Sequence, residues 1–142
     1  MTPEQVALAQ TSFRKVVPIA DAAADIFYGR LFELEPGLRR LFPEDMAKQK
    51  RKLMQMLAVA VQSLHQPETV IPVARELGAR HVGYGVEATH YGTVGAALLH
   101  TLEAGLGEDW TPEVAEAWGE AYAMISEVMK AGAAEVWSEP KG

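Results

Sequence analysis

The sequence predicts an all-α domain of seven to eight helices, several of them short, crossing at steep angles around a cavity. Three observations carry this. Nearly every segment repeats its apolar residues at helical period, and no strand-like alternation lasts. The helical segments are interrupted by Pro18, Pro36-Gly37, Pro67, Gly83, Gly85, Gly105 and Gly107, which is too irregular for an up-down bundle and suits steeply crossed helices. The chain has 142 residues, 49% of them hydrophobic. That is enough for one domain with a core and too apolar for disorder.

The elements follow in order. Thr2-Pro3-Glu4-Gln5 is a helix start, with Thr2 as N-cap, Pro3 in the first turn and Gln5 closing a capping box. Val6, Ala9, Phe13 and Val16 form its inner stripe. Pro18 ends that helix and begins the next, with Ala22, Ile26, Phe27, Leu31 and Leu34 inward. Glu35-Pro36-Gly37 breaks the chain again, and Leu38, Leu41 and Phe42 make a short third piece ahead of Pro43, where the helix must stop. A long helix runs from about Glu44 to Leu64, with Gln49, Leu53, Met56, Leu57, Ala60, Val61 and Leu64 along one side. A shorter helix covers Val70 to His81, starting near Pro72, and Gly83 and Gly85 follow it as a stop signal. Thr89 to Leu106 carries Tyr91, Val94, Leu98, Thr101 and Leu102. Thr111-Pro112-Glu113 opens the last helix, with Thr111 as N-cap and Glu113 favourable to the dipole. Its stripe is Val114, Ala117, Trp118, Ala121, Tyr122, Ile125, Val128 and Met129, and it reaches about Trp137. Residues 1–137 form the domain and 138–142 a tail.

Composition narrows the function. The net charge of −6 gives no sign of a nucleic-acid binder. With no cysteine, disulfides, thiolate zinc and thiolate-ligated haem are excluded, and a reducing compartment fits. The N-terminus lacks a basic start and an apolar run, so no signal peptide is expected. No apolar stretch nears the roughly 20 residues of a membrane span. The expectation is a cytoplasmic protein that does not engage membranes, too short to carry a flavin or nicotinamide domain beside this one.

Of four histidines, His65 is expected exposed at a polar helix end, and His90 to face outward at a helix start. His100, between Leu98, Leu99 and Leu102, is expected partly buried or on an interface. Only His81 joins an apolar stripe, through Leu77 one turn earlier, to a glycine-rich break followed by Val86. A histidine on the inner face of a short helix, with the chain turning away beyond it, suits a buried metal ligand, and His81 is read as binding a haem iron. Taken alone, such a histidine is more often a hydrogen-bonded core residue. The long helix adds support. Gln49 is a lone amide at the head of the stripe Leu53, Met56, Leu57, and so a candidate donor to something buried. Tyr28 sits at the inner edge of its helix. A phenol and an amide converging on bound O₂ would stabilise its partial negative charge. Gln49 facing water and Tyr28 as a core aromatic is the plainer alternative for each residue alone. The run Lys48, Lys50, Arg51, Lys52 reads as a solvated face from which Lys52 first, and Arg80 beside His81, could pair with haem propionates. Other chemistries find little. No second histidine stands at zinc-ligand spacing from His81, Glu33 and Glu35 lack a Glu-x-x-His partner, and no nucleophile elbow occurs.

Read together, these residues resemble the globins, specifically single-domain bacterial haemoglobins related to the globin domain of flavohaemoglobins. The resemblance runs from about Thr2 to Trp137. It is carried by Ile26-Phe27-Tyr28, Leu31-Phe32, Glu35-Pro36 and Leu41-Phe42, then by Gln49 with Arg51-Lys52-Leu53-Met54-Gln55. His81 with Tyr84, Val86, His90-Tyr91, Val94-Gly95 and Ala117-Trp118-Gly119-Glu120-Ala121-Tyr122 completes it. It implies haem b (iron protoporphyrin IX), with His81 similar to the proximal ligand and Phe42 to the phenylalanine packed on the haem face. Tyr28, Gln49 and Leu53 match the distal residues, and Tyr91 the tyrosine near the proximal histidine. Leu57, Leu77, Val86, Val94 and Leu98 would line the pocket. One position departs. Relatives place a glutamate near the end of the last helix to polarise the proximal histidine, and here that position is Ala133. Glu135, two residues on, lies about 200° around the helix and should point elsewhere. The iron should then be less electron-rich, which favours ligand binding over peroxidase-like or dedicated dioxygenase chemistry. The expected function is reversible binding of O₂, also CO and NO. The alternatives are nitric oxide dioxygenation with an external reductase, a haem-based gas sensor or partner-binding module, and an empty fold serving as an interaction domain.

Overall fold

The computed structural model describes residues 1–83, 86 and 89–137. Tyr84, Gly85 and the tail 138–142 lie outside the described residues. Among the described residues six α-helices are present: α1 (Pro3–Val16), α2 (Ala20–Leu34), α3 (Ala47–Gln62), α4 (Pro67–Gly83), α5 (His90–Leu106) and α6 (Pro112–Trp137). Three 3₁₀ segments join them at Val17–Ile19, Pro36–Leu41 and Gly107–Asp109. The expected all-α class holds. The seven to eight helices become six because the third piece has 3₁₀ geometry.

Local chemistry explains the boundaries. The capping box closes, with the Gln5 amide N–H donating to Thr2 Oγ1 at 3.1 Å and Gln5 Oε1 accepting from the Thr2 N–H at 3.0 Å. Thr111 caps α6 by accepting from the Val114 N–H at 3.2 Å. Gly107, at φ 54°, ends α5 in the left-handed region that glycine enters without penalty. Two starts differ from expectation. α3 begins at Ala47, not Glu44, because the preceding carbonyls are taken. The Arg39 guanidinium donates to the carbonyls of Phe42, Pro43 and Glu44 at 3.2, 2.9 and 3.1 Å, and Asp45 Oδ1 accepts from the Ala47 N–H at 3.0 Å. α4 begins at Pro67, with Pro72 inside it. Pro67 fills the first position, where its missing N–H costs nothing, and the Gln66 carbonyl accepts from Thr69 and Val70.

The core joins α1, α2, α3, α5 and α6 around Phe13, Val16, Phe27, Leu31, Leu98, Leu102 and Trp118. Trp118 lies 6.1 Å from Phe13, ring to ring, and its indole N–H donates to the buried Ser12 hydroxyl at 2.8 Å. α4 lies mainly on α6, and α2 on α5. Ala22, Leu34 and Met56, expected inward, are exposed. α2 instead buries Ala23, Ala24, Phe27, Tyr28 and Leu31, a stripe rotated toward α5.

Candidate functional site

α2 and α3 converge at Tyr28 and Gln49. Tyr28 is buried, in ring contact with Phe27, Phe32 and Phe42 at centroid distances of 5.0, 6.0 and 5.5 Å. Gln49, half-buried in the first turn of α3, donates from Nε2 to the Tyr28 hydroxyl oxygen at 3.2 Å. That bond uses a lone pair of the phenol and leaves its O–H as a donor, strengthened by the bond it accepts. Burial raises the Tyr28 pKa and the Gln49 bond opposes the rise, so the phenol stays protonated and able to donate. One turn on from Gln49, Leu53 lines an apolar cavity together with Phe27, Leu57 and Leu98.

His81 lies near the end of α4, half-buried. Its Nδ1 contacts the Leu77 carbonyl at 2.7 Å. A carbonyl only accepts, so Nδ1 carries the hydrogen and the basic lone pair is on Nε2. Burial lowers the His81 pKa, against the opposing bond to Leu77, and so favours the neutral ring that a metal requires. The Val86 N–H donates to the His81 carbonyl at 3.1 Å. Among the described residues no group of three or more potential ligands gathers. A single imidazole suits a metal whose remaining ligands come from a macrocycle, and with a phenol and amide pair set on the other helices the donor set fits a haem.

On α5, Tyr91 is buried and its pKa is raised by burial. Its hydroxyl has no hydrogen-bond partner among the described residues. The Tyr122 hydroxyl donates to the Tyr91 carbonyl at 2.5 Å across Gly95, and burial followed by the neighbouring Tyr91 pushes its pKa well up. Ala133 is buried, and Glu135 instead pairs on the surface with Arg75 of α4.

The sequence-predicted residues therefore fall into sets. Tyr28, Gln49 and Phe42 touch through Tyr28. Leu53, Leu57 and Leu98 share one cavity. Leu77 and Val86 are joined to His81, the one through its ring Nδ1 and the other through its carbonyl. Val94 is half-buried. Lys52 is exposed, and Arg80 is engaged by Glu76 of its own helix at 2.7 Å. His65 is exposed as expected and contacts Gln10. His100 is exposed, because it lies on the face of α5 opposite Leu98 and Leu102. His90 departs from expectation. Its side chain is 12% exposed and its Nε2 lies 3.1 Å from Glu35, whose other oxygen accepts from Thr93 at 2.9 Å. Glu35 and His90 are too far apart in sequence for any local pattern to have joined them.

The all-α fold and this arrangement are those of the globin class. The globin family model matches residues 25–129, and the chain belongs to that family. It is similar to the flavohemoprotein of Bordetella parapertussis, 30% identical over 132 residues, covering 91% of this chain and 33% of the relative. It is also similar to the flavohemoprotein of Bacillus subtilis, 32% identical over 104 residues, covering 71% and 26%. The chain thus spans about a third or less of the length of these curated relatives. Among solved structures, an engineered carbene transferase from Rhodothermus marinus, provisionally a nitric oxide dioxygenase, superposes with a TM-score of 0.86 at 27% identity, covering 97% and 96% of the two chains. A bacterial globin from Campylobacter jejuni gives a TM-score of 0.80 at 21% identity, covering 97% and 100%, and supports the fold. Family membership implies haem-based gas binding. Among the described residues no helix is long and apolar enough to cross a membrane.

Proposed function

We propose that residues 1–137 form a haem b globin that binds O₂ reversibly, and CO and NO with it. His81 would ligate the iron through Nε2, with Tyr28 and Gln49 donating toward the bound gas. The haem supplies the iron at which the gas binds. The chain supplies the neutral imidazole and the donor pair. The Tyr28–Gln49 hydrogen bond at 3.2 Å carries this reading, because two polar side chains from different helices meet in an otherwise apolar setting. Two donors slow gas release, which suits retention or chemistry better than bulk transport. Phe42, Leu53, Leu57, Leu77, Val86, Tyr91, Val94 and Leu98 would line the haem pocket. Lys52 remains a candidate for the propionates, and Arg80 is one only on giving up Glu76.

A second reading rests on the flavohemoprotein relatives and on the Rhodothermus neighbour. In it NO, O₂ and one electron yield nitrate, the electron coming from an external reductase. Cytoplasmic residence fits either.

The test is the absorption spectrum of the purified protein, ferric and reduced, then with CO and with O₂, for wild type and His81→Ala. A Soret band that is lost or displaced in the variant, with a stable O₂ adduct in the wild type, is expected. A wild type that never takes up haem overturns the proposal. Nitrate production from NO with a supplied reductase separates the second reading from the first.

A further inference from the structure

A surface cleft of about 530 Å³ lies where α2 meets the start of α3, lined by Asp21, Asp25, Glu44, Asp45, Lys50 and Arg51. Lys50 spans it, its ammonium 2.7 Å from the Asp25 carboxylate. Asp25 is one turn before Tyr28 on α2, and Lys50 directly follows Gln49 on α3. The two helices are thus tied twice, by a part-buried rung, Tyr28–Gln49, and by a more exposed one, Asp25–Lys50.

The position of the outer rung matters because of where Gln49 sits. It is the third residue of α3, and the first turn of a helix lacks intrahelical partners for its N–H groups and frays. Met46 offers no side-chain cap, and Asp45 accepts from the Ala47 N–H, not from an N–H further into the turn, among the described residues. Arg39 grips the carbonyls just before this turn and Met46 packs on the core, and the side-chain ties to α2 are what hold Gln49 and Lys50 themselves. We infer that Asp25 and Lys50 are positioning residues, and that their ion pair latches the first turn of α3 to α2 and fixes the Gln49 amide on the Tyr28 hydroxyl. The inference rests on the proposed role of Tyr28 and Gln49 toward a bound gas.

The partners are 64% and 35% exposed, and an exposed pair changes an equilibrium by no more than about fivefold. The two ends are not equivalent. Four carboxylates face the cleft against two cations, so Asp25→Asn leaves Lys50 other acids to lean on, whereas Lys50→Met leaves the carboxylates with Arg51 alone. Lys50→Met should have the larger effect.

The experiment uses the haem-loaded protein. The rate of O₂ release and the C–O stretching band of the CO adduct are measured for wild type, Asp25→Asn, Lys50→Met, the swap Asp25→Lys with Lys50→Asp, and Tyr28→Phe, at low and high salt. Expected are two- to fivefold faster release and a broadened or split C–O band in Lys50→Met, a smaller change in Asp25→Asn, and recovery toward wild type in the swap. High salt should move the wild type toward the single variants. Release rates and bands that stay at wild-type values in both single variants, while Tyr28→Phe changes them, overturn the latch alone. A Tyr28→Phe variant indistinguishable from wild type overturns the donor role of Tyr28, and the latch with it.

Discussion

Gly78 on α4 and Gly132 on α6 each face the other helix's backbone. A Cβ on Gly78 would run into the Met129 carbonyl, and one on Gly132 into that of Arg75. The two helices cross at this point with no side chain between them. The crossing stands one turn before His81 on the same helix.

The first prediction follows from the contrast among glycines. In an open helical position, Gly→Ala stabilises by about 0.4–1 kcal/mol because the unfolded chain loses freedom. Gly29, within α2 with nothing near its absent Cβ, should behave so. At Gly78 and Gly132 the colliding atoms belong to backbone, which cannot rotate away, and overpacking costs about 1–3 kcal/mol. Gly29→Ala should raise the thermal midpoint, and Gly78→Ala and Gly132→Ala should lower it while loosening haem retention. Haem transfer to an excess acceptor globin measures the second effect. Retention unchanged in both destabilised variants would detach the crossing from the placement of His81.

Much of this arrangement was legible beforehand. The helical stripes of α1, α5 and α6 fall where the apolar period puts them, because long amphipathic helices declare their inner face, and the caps at Thr2 and Thr111 follow from local chemistry alone. The family was readable from the order and spacing of many short motifs, from Ile26-Phe27-Tyr28 to Ala117–Tyr122, none of them decisive alone. What stayed hidden needed the tertiary arrangement. Nothing local pairs Glu35 with His90, or Asp25 with Lys50. Pro72 reads as a helix start because a proline fits a first turn, and only the structure shows the helix beginning five residues sooner. Gly78 and Gly132 read as ordinary helix glycines until the two backbones are seen to meet.

The second prediction concerns the core tie between α1 and α6. The Trp118 indole N–H donates to Ser12 Oγ at 2.8 Å, while that hydroxyl donates to the Leu8 carbonyl at 2.7 Å. Ser12→Ala strands a buried donor, at a cost of about 1–3 kcal/mol. In a Trp118→Phe background no donor remains to be stranded, and the same substitution should cost under about 1 kcal/mol. Urea unfolding of the four proteins in the cycle measures the coupling. Additive costs would mean that the bond contributes nothing specific.

The third prediction is a loss of stability at high pH. Burial raises the pKa of Tyr28, Tyr91 and Tyr122 above 10.0, most strongly at Tyr122. Each phenol keeps its proton in the folded state at pH values where the unfolded chain has lost it. The folded state then binds more protons, and stability falls as pH rises. The contribution is complete below pH 10 and is lost above it, through the folded pKa values. Thermal midpoints should be flat through pH 8–9 and decline beyond pH 10, with tyrosinate absorbance appearing together with unfolding. Free titration of these tyrosines in the intact fold would show that they are not shielded as described.

The fourth prediction addresses gas binding directly. The Tyr28 hydroxyl accepts from Gln49 and keeps its own proton to give, so on the proposed reading Tyr28→Phe removes the stronger of two donors. A hydrogen bond contributes about 0.5–1.5 kcal/mol net, which corresponds to roughly two- to tenfold faster O₂ release. Gln49→Leu leaves the phenol in place but unsteadied, and its effect should be smaller than that of Tyr28→Phe. The double variant should release O₂ little faster than Tyr28→Phe, because Gln49 acts largely through the hydroxyl it bonds. Stopped-flow displacement of O₂ by CO in the three variants reads all of this. If Gln49→Leu exceeds Tyr28→Phe, the order of the two donors is reversed and the amide is the group that meets the gas.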